Sequence, residues 1–469
     1  MMGQSIQNVC LANNATFLSA LLLLAVTTSG GPSLQCCLAR SETHRRPPPT
    51  PPDGPHHPPA APVMTPPPSP SATFSVVDYG AVGDGVTDDT KAFADAWSAA
   101  CAAEASTVLV PASYVFLVGP IAFTGGDSCE PNVVFQVDGT ILANTGSTAW
   151  RSGYATQWLE FKSVRGLTIQ GCGVIDGQGS HWWSRNPLVD QGQTTTELDP
   201  DRVGTIDRPT ALRVYQGDNV TVTGITIRSS PKFHLTLDTC RAVEVHGVTI
   251  ASPGDSPNTD GIHLASSVGV SIHHTTIACG DDCVSIQAGC SDVSIRNVYC
   301  GPGHGISVGG LGKGGATATV SDVTVQDVTF NHTMTGVRIK TWQIHTYIQG
   351  GSGSVKNVRF SGVRVSAVKT PIVIDQYYCD HTACTNQTSA VAVVGAAYQG
   401  VAGTYTQRPV YLACSDAAPC SGIHLADIQL QPVKDSGYRV QGPFCWKAHG
   451  DEMRPVEPPV DCLITAGAP

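Results

Sequence analysis

A nine-residue frame repeats along this chain, and four copies follow one another in its middle: NVTVTGITI (219–227), AVEVHGVTI (242–250), GVSIHHTTI (269–277) and DVSIRNVYC (292–300). Four further copies lie outside this stretch and begin at residues 166, 322, 357 and 422. Positions 2, 4 and 9 of the frame are mostly apolar, as expected of short strands that turn one side towards a core. The frame therefore predicts a series of similar short strands.

The spacing of the copies indicates how the strands are arranged. From residue 219 to residue 357, successive copies start 23, 27, 23, 30 and 35 residues apart. Short β-branched strands at such a period, with no long helical pattern between them, are typical of a solenoid. Leucine-rich repeats need a Leu/Asn frame that is absent here, and a sandwich would space its strands by about 8–12 residues. We predict an all-β fold, a right-handed single-stranded parallel β-helix of roughly ten turns, with loops of unequal length that wall a groove.

Composition and charge limit the class of this 469-residue protein. It has 27 basic and 37 acidic residues, a net charge of −10, 41% apolar residues and 14% charged residues. This balance argues against wholesale disorder and against a general nucleic-acid-binding protein. An acidic protein repels an acidic polymer at long range, so a site for such a polymer needs its own local cations.

The first residues predict secretion. Residues 17–26 (FLSALLLLAV) are too few to span a bilayer, which needs about 20 residues, but they suit the core of a signal peptide, which we place at 1–30. Departing from the usual pattern, residues 1–16 contain no Lys or Arg. The 17 cysteines favour an oxidising compartment.

A Pro-rich segment separates the signal peptide from the repeats. Of the 24 residues from 47 to 70, 13 are Pro, which predicts a semi-rigid linker over 31–72. The β-helix domain is expected over 73–469. Within it, residues 88–100 carry Ala, Phe and Trp at helical spacing and predict a short N-terminal helix that caps the core.

Four short motifs concentrate charge and Gly within the apolar frame: NTDGIH (258–263), GDDC (280–283), GPGHG (301–305) and RIK (338–340). Asp260 and Asp281 are 21 residues apart. Asp282 and His304 are 22 residues apart, so both intervals are close to one turn of the solenoid. Neighbouring strands lie about 4.8 Å apart, which predicts that these four residues stack on adjacent turns of one face.

Three carboxylates and a histidine in one small site predict acid–base chemistry. Carboxylates this close cannot all ionise easily, so one Asp should hold its proton near neutrality. One protonated and one ionised carboxylate are what glycoside hydrolysis by a general acid and a general base requires. Taken alone, each motif would be read as an ordinary turn or a half-buried strand, but their order and turn-length spacing argue against that.

In this order on a β-helix pattern, the four motifs resemble those of the polygalacturonase family of glycoside hydrolases, in its plant-type form. The likeness runs from about Thr73 to the C-terminus, and VVDYGAVGDGVTDDTKAF (76–93) also resembles the start of the plant members. The resemblance implies inverting hydrolysis of α-1,4-linked galacturonan without a metal or other cofactor. The expected partner is pectin (homogalacturonan) in the cell wall, with no nucleic acid, no membrane after signal cleavage, and a monomeric protein.

The resemblance also implies catalytic roles for residues at matching positions. Asp281 would be the general acid that protonates the glycosidic oxygen. Asp260 and Asp282 would activate the attacking water. His304 would tune the acid and hold the hydrogen bonds of the site.

Further positions match the family's substrate-binding residues. Arg338 and Lys340 would bind the galacturonate carboxylate, the Arg through its bidentate fork and the Lys as a point charge. Asn258 would orient the neighbouring Asp. In IDQYYC (374–379), Tyr378 matches the substrate-contacting Tyr, whereas Tyr377 stands where many plant members carry Asn.

Two features of the motifs conflict with regular geometry. Inverting enzymes keep their two carboxyl groups about 6.5–9.5 Å apart, which is more than adjacent turns suggest. Asp281 and Asp282 would also face opposite sides in a regular strand. We therefore predict a turn or bulge at 280–282.

Other activities remain open at the sequence level. A sister specificity for rhamnogalacturonan or xylogalacturonan would use the same chemistry, and the intact His304 and RIK motif argue against it. A pectate lyase would share the fold but use Ca²⁺ and β-elimination. A non-catalytic pectin-binding wall protein is the alternative from another class. Internal attack and attack from the chain end are not distinguished.

Fourteen cysteines lie within the expected domain. The family pattern pairs Cys283 with Cys300. The other predicted disulfides are Cys101–Cys129, Cys379–Cys384, Cys414–Cys420 and Cys445–Cys462. A zinc site of Cys279, Cys283, Cys290 and Cys300 is the alternative for that cluster, although it lacks a Cys-x-x-Cys pair. Sequons predict glycosylation at Asn219, Asn331 and Asn386.

Overall fold

The computed structural model describes residues 72–146, 150, 156–183, 208–343, 351–379, 391–434, 437 and 439–465. The predicted signal peptide and all but the last residue of the predicted linker lie outside these residues. So do Cys384 and the sequon at Asn386. Among the described helices, none has both the length and the apolar character needed to cross a membrane.

All described strand pairings within the two sheets are parallel, and the strands form three columns. Column 1 is a sheet of eleven strands. Its members are β5 (Ile121–Thr124), β8 (Gln157–Lys162), β11 (Thr210–Tyr215), β14 (Leu235–Asp238), β17 (Ile262–Ala265), β20 (Val284–Ile286), β23 (Ile306–Leu311), β26 (Thr335–Trp342), β28 (Thr370–Tyr378), β30 (Val410–Ala413) and β32 (Phe444–Trp446).

Columns 2 and 3 make up the second sheet, of 22 strands. Column 2 begins with β1 (Thr73–Ser75), β3 (Thr107–Val110), β6 (Val134–Val137), β9 (Thr168–Gln170), β12 (Asp218–Thr223), β15 (Arg241–His246), β18 (Val268–His273), β21 (Ser291–Arg296) and β24 (Thr317–Gln326). Column 3 begins with β2 (Asp84–Asp88), β4 (Val115–Val118), β7 (Thr140–Ala143), β10 (Val174–Asp176), β13 (Thr226–Arg228), β16 (Thr249–Ala251), β19 (Thr276–Ala278), β22 (Tyr299–Cys300) and β25 (Thr329–Asn331).

The two columns merge towards the C-terminus. The long strand β27 pairs with both β24 and β25. It is followed along the sheet by three more long strands, so that the merged part consists of β27 (Ser352–Val368), β29 (Ala392–Tyr405), β31 (Cys420–Pro432) and β33 (Ala448–Glu457). From β5 to β25 the chain visits column 1, column 2 and column 3 in turn, as in β11, β12 and β13. The predicted fold class, an all-β parallel β-helix, is confirmed.

The repeated frame explains the core. Position 2 of successive copies pairs in register along column 2, and these valines are at most 2% exposed: Val220, Val243, Val270, Val293, Val323 and Val358. Position 9 falls in column 3, where Ile227, Ile250 and Ile277 pair in the same way. Each apolar side chain is thereby buried against the equivalent side chain of the next turn.

Position 6 of the frame forms the corner between columns 2 and 3. There the backbone is left-handed in every copy from 219 to 357, at Gly224, Gly247, His274, Asn297, Asp327 and Gly362. Left-handed backbone costs most residues about 1–2 kcal/mol, whereas Gly, Asn and Asp adopt it more readily. The left-handed backbone at this corner therefore favours Gly, Asn and Asp at position 6.

The helices are few. Helix α1 (Thr90–Cys101) begins two residues after the predicted start, and α2 (Ser180–Trp183) has a single turn. Short 3₁₀ turns lie at Val76–Tyr79, Gly126–Ser128 and Lys313–Gly315. Phe93 and Trp97 of α1 are buried, and the Trp97 ring lies 5.4 Å from that of Phe161.

Four predicted disulfides are present: Cys101–Cys129, Cys283–Cys300, Cys414–Cys420 and Cys445–Cys462. Cys379 is also disulfide-bonded, and its predicted partner lies outside the described residues. Cys240, Cys279 and Cys290 are buried thiols outside any disulfide. The Cys283–Cys300 bond rules out the four-cysteine zinc site.

The corner provides a test of the fold. Gly247 has a φ of +61°, and a Cβ there would meet only ordinary contacts at 3.9 Å. We expect Gly247→Ala to lower the free energy of unfolding by about 1 kcal/mol through backbone strain alone. Gly247→Asp should cost clearly less, since Asp occupies the equivalent corner at Asp327. Urea unfolding measures both, and equal losses would contradict this account of the corner.

Candidate active site

The four charged motifs meet on four consecutive strands of column 1. NTDGIH leads into β17, GDDC into β20 and GPGHG into β23, while RIK lies within β26. These strands pair in order, with Ser285 opposite Ser307 and Ser307 opposite Arg338. The structure therefore brings the predicted site residues together on the outer face of one column.

The backbone is irregular where the two adjacent aspartates lie. Residues 279–283 belong to no strand, as the predicted turn or bulge at 280–282 requires. A Cβ at Gly280 would lie 1.9 Å from the carbonyl oxygen of Ser256, so Gly is required for the turn to pack against the previous one. This irregularity frees Asp281 and Asp282 from the alternation of a strand.

Asp282 is the buried centre of an ion cluster. Its Oδ1 accepts bonds from Ser307 Oγ at 2.8 Å and from Arg338 Nη2 at 2.6 Å, and its Oδ2 accepts a bond from Lys340 Nζ at 2.9 Å. Burial alone would raise its pKa, but the charges of Arg338 and Lys340 outweigh burial and hold the pKa below its usual value. Asp282 is therefore ionised.

Asp281 is bonded to His304 at the edge of this cluster. His304 Nδ1 lies 3.0 Å from Asp281 Oδ1, and the backbone N–H of His304 donates to the Asp281 carbonyl at 2.7 Å. Asn258 Nδ2 lies 3.4 Å from Asp281 Oδ2. The Asp281 side chain keeps 20% exposure, so it can reach a ligand in the groove.

Gly305, which directly precedes β23, fixes the backbone position of His304. Gly305 has a φ of +88°, and a Cβ on it would lie 2.3 Å from the carbonyl oxygens of Thr335 and Gly336. Thr335 Oγ1 in turn donates to the His304 carbonyl oxygen. His304 is thus held by the next turn of the solenoid.

Asp260 has a different environment. It is 6% exposed, and its Oδ2 lies 3.0 Å from His263 Nδ1. Burial raises the pKa of Asp260 to about 6, with the hydrogen bond from His263 acting in the opposite direction and the charge of Asp281 adding to the rise. Asp260 is therefore the aspartate of the cluster with a clearly raised pKa, but at a pKa of about 6 it is mostly ionised at neutral pH, so it does not meet the expectation of an Asp that keeps its proton there.

Two histidines next to Asp260 escaped the sequence analysis. The His263 ring stacks on Phe233, with centroids 4.1 Å apart and planes within 8°. His234 is fully buried, and both its backbone N–H and its Nδ1–H donate to the Asp260 carbonyl oxygen at 2.9 Å. Its Nε2 accepts from Ser252 Oγ at 2.7 Å. Burial lowers the pKa of His234 to about 4, so it is neutral and holds the Asp260 backbone in place.

Of the predicted substrate-binding residues, Arg338 and Lys340 lie on β26 and Tyr378 lies at the end of the neighbouring strand β28. Lys340 Nζ lies 4.9 Å from the centre of the Tyr378 ring, a cation–π contact. Asp375, which the motifs did not reveal, pairs in register with Lys340. Burial raises the pKa of Asp375, and the charges of Arg338 and Lys340 act in the opposite direction.

Among the described residues, one cluster of side chains has its ligand atoms close enough together to hold a metal ion. Asp281, Asp282 and His304 each bring one ligand atom within 4.8 Å of the others. However, both oxygens of Asp282 are already bonded to cations, and the charges of Arg338 and Lys340 would repel a divalent ion. The arrangement favours acid–base chemistry over metal binding.

Comparison with known proteins gives consistent matches. Residues 101–441 match the model of glycosyl hydrolases family 28. A probable polygalacturonase of Arabidopsis thaliana is 40% identical over 391 residues, which cover 83% of each chain. A polygalacturonase of Chamaecyparis obtusa is 41% identical over 363 residues, covering 77% of this chain and 67% of that protein. The endo-xylogalacturonan hydrolase of Aspergillus tubingensis shares the fold, with a TM-score of 0.67 and 22% identity over 79% of this chain and 95% of its own.

The environment of Asp260 predicts its titration. We expect its carboxyl band in pH-difference infrared spectra, identified by its absence in Asp260→Asn, to titrate near pH 6. His263→Phe should keep the stack on Phe233 but remove the hydrogen bond that lowers the pKa, so the band should titrate at higher pH. His424→Phe, on the remote strand β31, is the control. A band near pH 4, or no shift in His263→Phe, would contradict this description.

Proposed function

The chain belongs to glycosyl hydrolases family 28, and from this premise we propose that it is a polygalacturonase that hydrolyses the α-1,4 bonds between galacturonate units of pectin with inversion. One observation carries the proposal. The Asp281–His304 pair lies directly beside an ionised Asp282 that Arg338 and Lys340 hold in place. A carboxyl group bonded to a histidine, next to fixed cations, suits the cleavage of a sugar that bears a carboxylate.

Asp281 acts as the general acid. Its partial exposure lets it reach the glycosidic oxygen, whereas Asp260 and Asp282 are more deeply buried. The hydrogen bond between His304 and Oδ1 leaves Oδ2 to present the proton. The Asn258 amide near that oxygen orients the carboxyl group.

Asp260 acts as the general base. A carboxylate whose pKa is about 6 is a stronger base than an ordinary Asp, and it is ionised above that pH. Asp282 Oδ2, which accepts one bond from Lys340 among the described contacts, orients the same water.

Arg338 and Lys340 bind the substrate carboxylate. Both cations contact Asp282, which carries a single negative charge. Lys340 and Tyr378 together offer a cation and a ring face on the groove side of β26 and β28. A carboxylate on the sugar can pair with these cations, whereas a neutral sugar cannot, which favours galacturonate in this position.

We also propose that the protein acts outside the cell, in the plant cell wall. The apolar run at 17–26 and the disulfides of the β-helix support this site of action. A Pro-rich linker over 31–72 would separate the enzyme from its leader. Glycosylation at Asn219, which is exposed, fits the same route.

The proposal is tested by the release of reducing ends from polygalacturonate in the presence of EDTA. We expect the wild type to be active and Asp281→Asn to lose about 10²–10⁴-fold in kcat, the range of a general acid. Asp292→Asn is the matched control, because Asp292 is exposed on column 2, and it should keep full activity. Viscosity followed in parallel separates internal cleavage, which lowers it steeply, from attack at the chain end.

Asp281 is the better target than Asp282. Replacing Asp282 would leave two cations buried without a counter-charge, which destabilises a protein strongly. A wild type without activity, an Asp281→Asn variant with full activity, or an unsaturated product absorbing in the ultraviolet would each reject the proposed hydrolysis.

A further inference from the structure

Three aromatic side chains form a patch at the C-terminal end of column 1, and we call Tyr411, Phe444 and Trp446 the aromatic platform. Phe444 is 37% exposed and Trp446 is 48% exposed. The rings of Tyr411 and Phe444 stack with centroids 5.2 Å apart and planes 19° apart. Contiguous exposed apolar surface is a feature of interaction sites and ligand-binding grooves.

The strand register connects the platform to the site. Along one row of column 1, Arg338 pairs with Val373, Val373 with Tyr411, and Tyr411 with Phe444. All of these alternate with the inward-facing Ile339, Ile374 and Leu412, so they lie on the outer face. The aromatic platform therefore lies on the same outer face of column 1 as Arg338.

A second row leads to the same place. Lys340 pairs with Asp375, Asp375 with Ala413, and Ala413 with Trp446. Trp446 thus lies three strands beyond Lys340, roughly 14 Å at the usual strand spacing. A polymer that follows the solenoid axis away from Lys340 would pass directly over the indole ring.

Two cations accompany the rings. The guanidinium of Arg408 lies 5.6 Å from the centre of the Tyr411 ring and 5.3 Å from that of Phe444. Lys447 Nζ lies 5.8 Å from the Trp446 ring, and its other neighbour, Asp416, is 4.0 Å away. The exposed Trp446 ring can stack on the apolar face of a sugar, and the neighbouring cations can attract its carboxylate, which matches the chemistry of a galacturonate unit.

We propose that the aromatic platform is a distal substrate subsite, which binds a galacturonate unit of the polymer well beyond the bond that is cleaved. This inference rests on the proposed function, because it assumes a galacturonate polymer in the groove. Since the platform is far from the reacting atoms, it strengthens binding of long substrates equally in the ground and transition states. It therefore lowers KM for long chains and leaves kcat and short substrates unaffected.

The test compares Trp446→Ala and Phe444→Ala with the wild type on trigalacturonate and decagalacturonate. We expect KM for the long substrate to rise roughly three- to tenfold in each variant, with kcat unchanged. Both parameters for trigalacturonate should stay at wild-type values. Met453→Ala is the control, since Met453 is 68% exposed on β33, at the same end of the solenoid but outside column 1.

Binding measured by calorimetry in an Asp281→Asn background decides the question independently of turnover. The platform variants should weaken binding of decagalacturonate and leave binding of trigalacturonate unchanged. An equal loss for both lengths would reveal an effect transmitted through the fold, and no loss for either would leave the platform without a role; both results overturn the inference. A wild type that binds long chains through the platform without cleaving them would reject the proposed hydrolysis but keep the subsite.

Discussion

The register between successive turns is the constraint on which the rest of this protein depends. Each strand is held by hydrogen bonds to the strand one turn before it, and equivalent side chains stack along the columns, as Val220, Val243 and Val270 do. A slip of one residue would exchange the buried and exposed faces of a strand. The same register brings Ser307 beside Arg338 and places both against Asp282. The register between turns therefore determines both the packing of the core and the geometry of the site.

The buried ion cluster is stable because its bonds are complete. Removing a carboxylate and two cations from water costs several kcal/mol per ion unless each group finds partners. Asp282 meets this condition with bonds from Ser307, Arg338 and Lys340, which come from two later strands. The cluster can form only when β20, β23 and β26 are correctly stacked. The ion cluster is therefore complete only once these three strands are in place.

This cluster also bears on the stereochemistry. Asp281 and Asp282 have carboxylate oxygens within 4.8 Å of each other, closer than the separation of about 6.5–9.5 Å typical of inverting pairs. Asp282 is occupied by cations, so it is not a free nucleophile. In the proposed mechanism the base is Asp260, on the preceding turn, which has a raised pKa and a hydrogen bond from His263.

The sequence predicted what is periodic or carried by motifs, and missed what depends on contacts across turns. The strand columns and the irregular segment at 280–282 followed from the repeated frame and from motif spacing. Four disulfides were also predicted, that of Cys283 and Cys300 through the family resemblance. His263 stood inside a quoted motif, yet its role depends on Phe233, which lies one turn earlier. His234 and Asp375 carry no motif at all. The platform rings lie near the end of the chain, where the frame is weakest, and only the strand register aligns them with Lys340.

The central claim is direct attack by water activated at Asp260 while Asp281 protonates the leaving oxygen. Proton NMR of the first reducing ends released from an α-linked oligogalacturonate, recorded before mutarotation, tests it most directly. The account predicts the β-anomer as the initial product. An initial α-anomer would require a covalent intermediate on one of the aspartates and would contradict it.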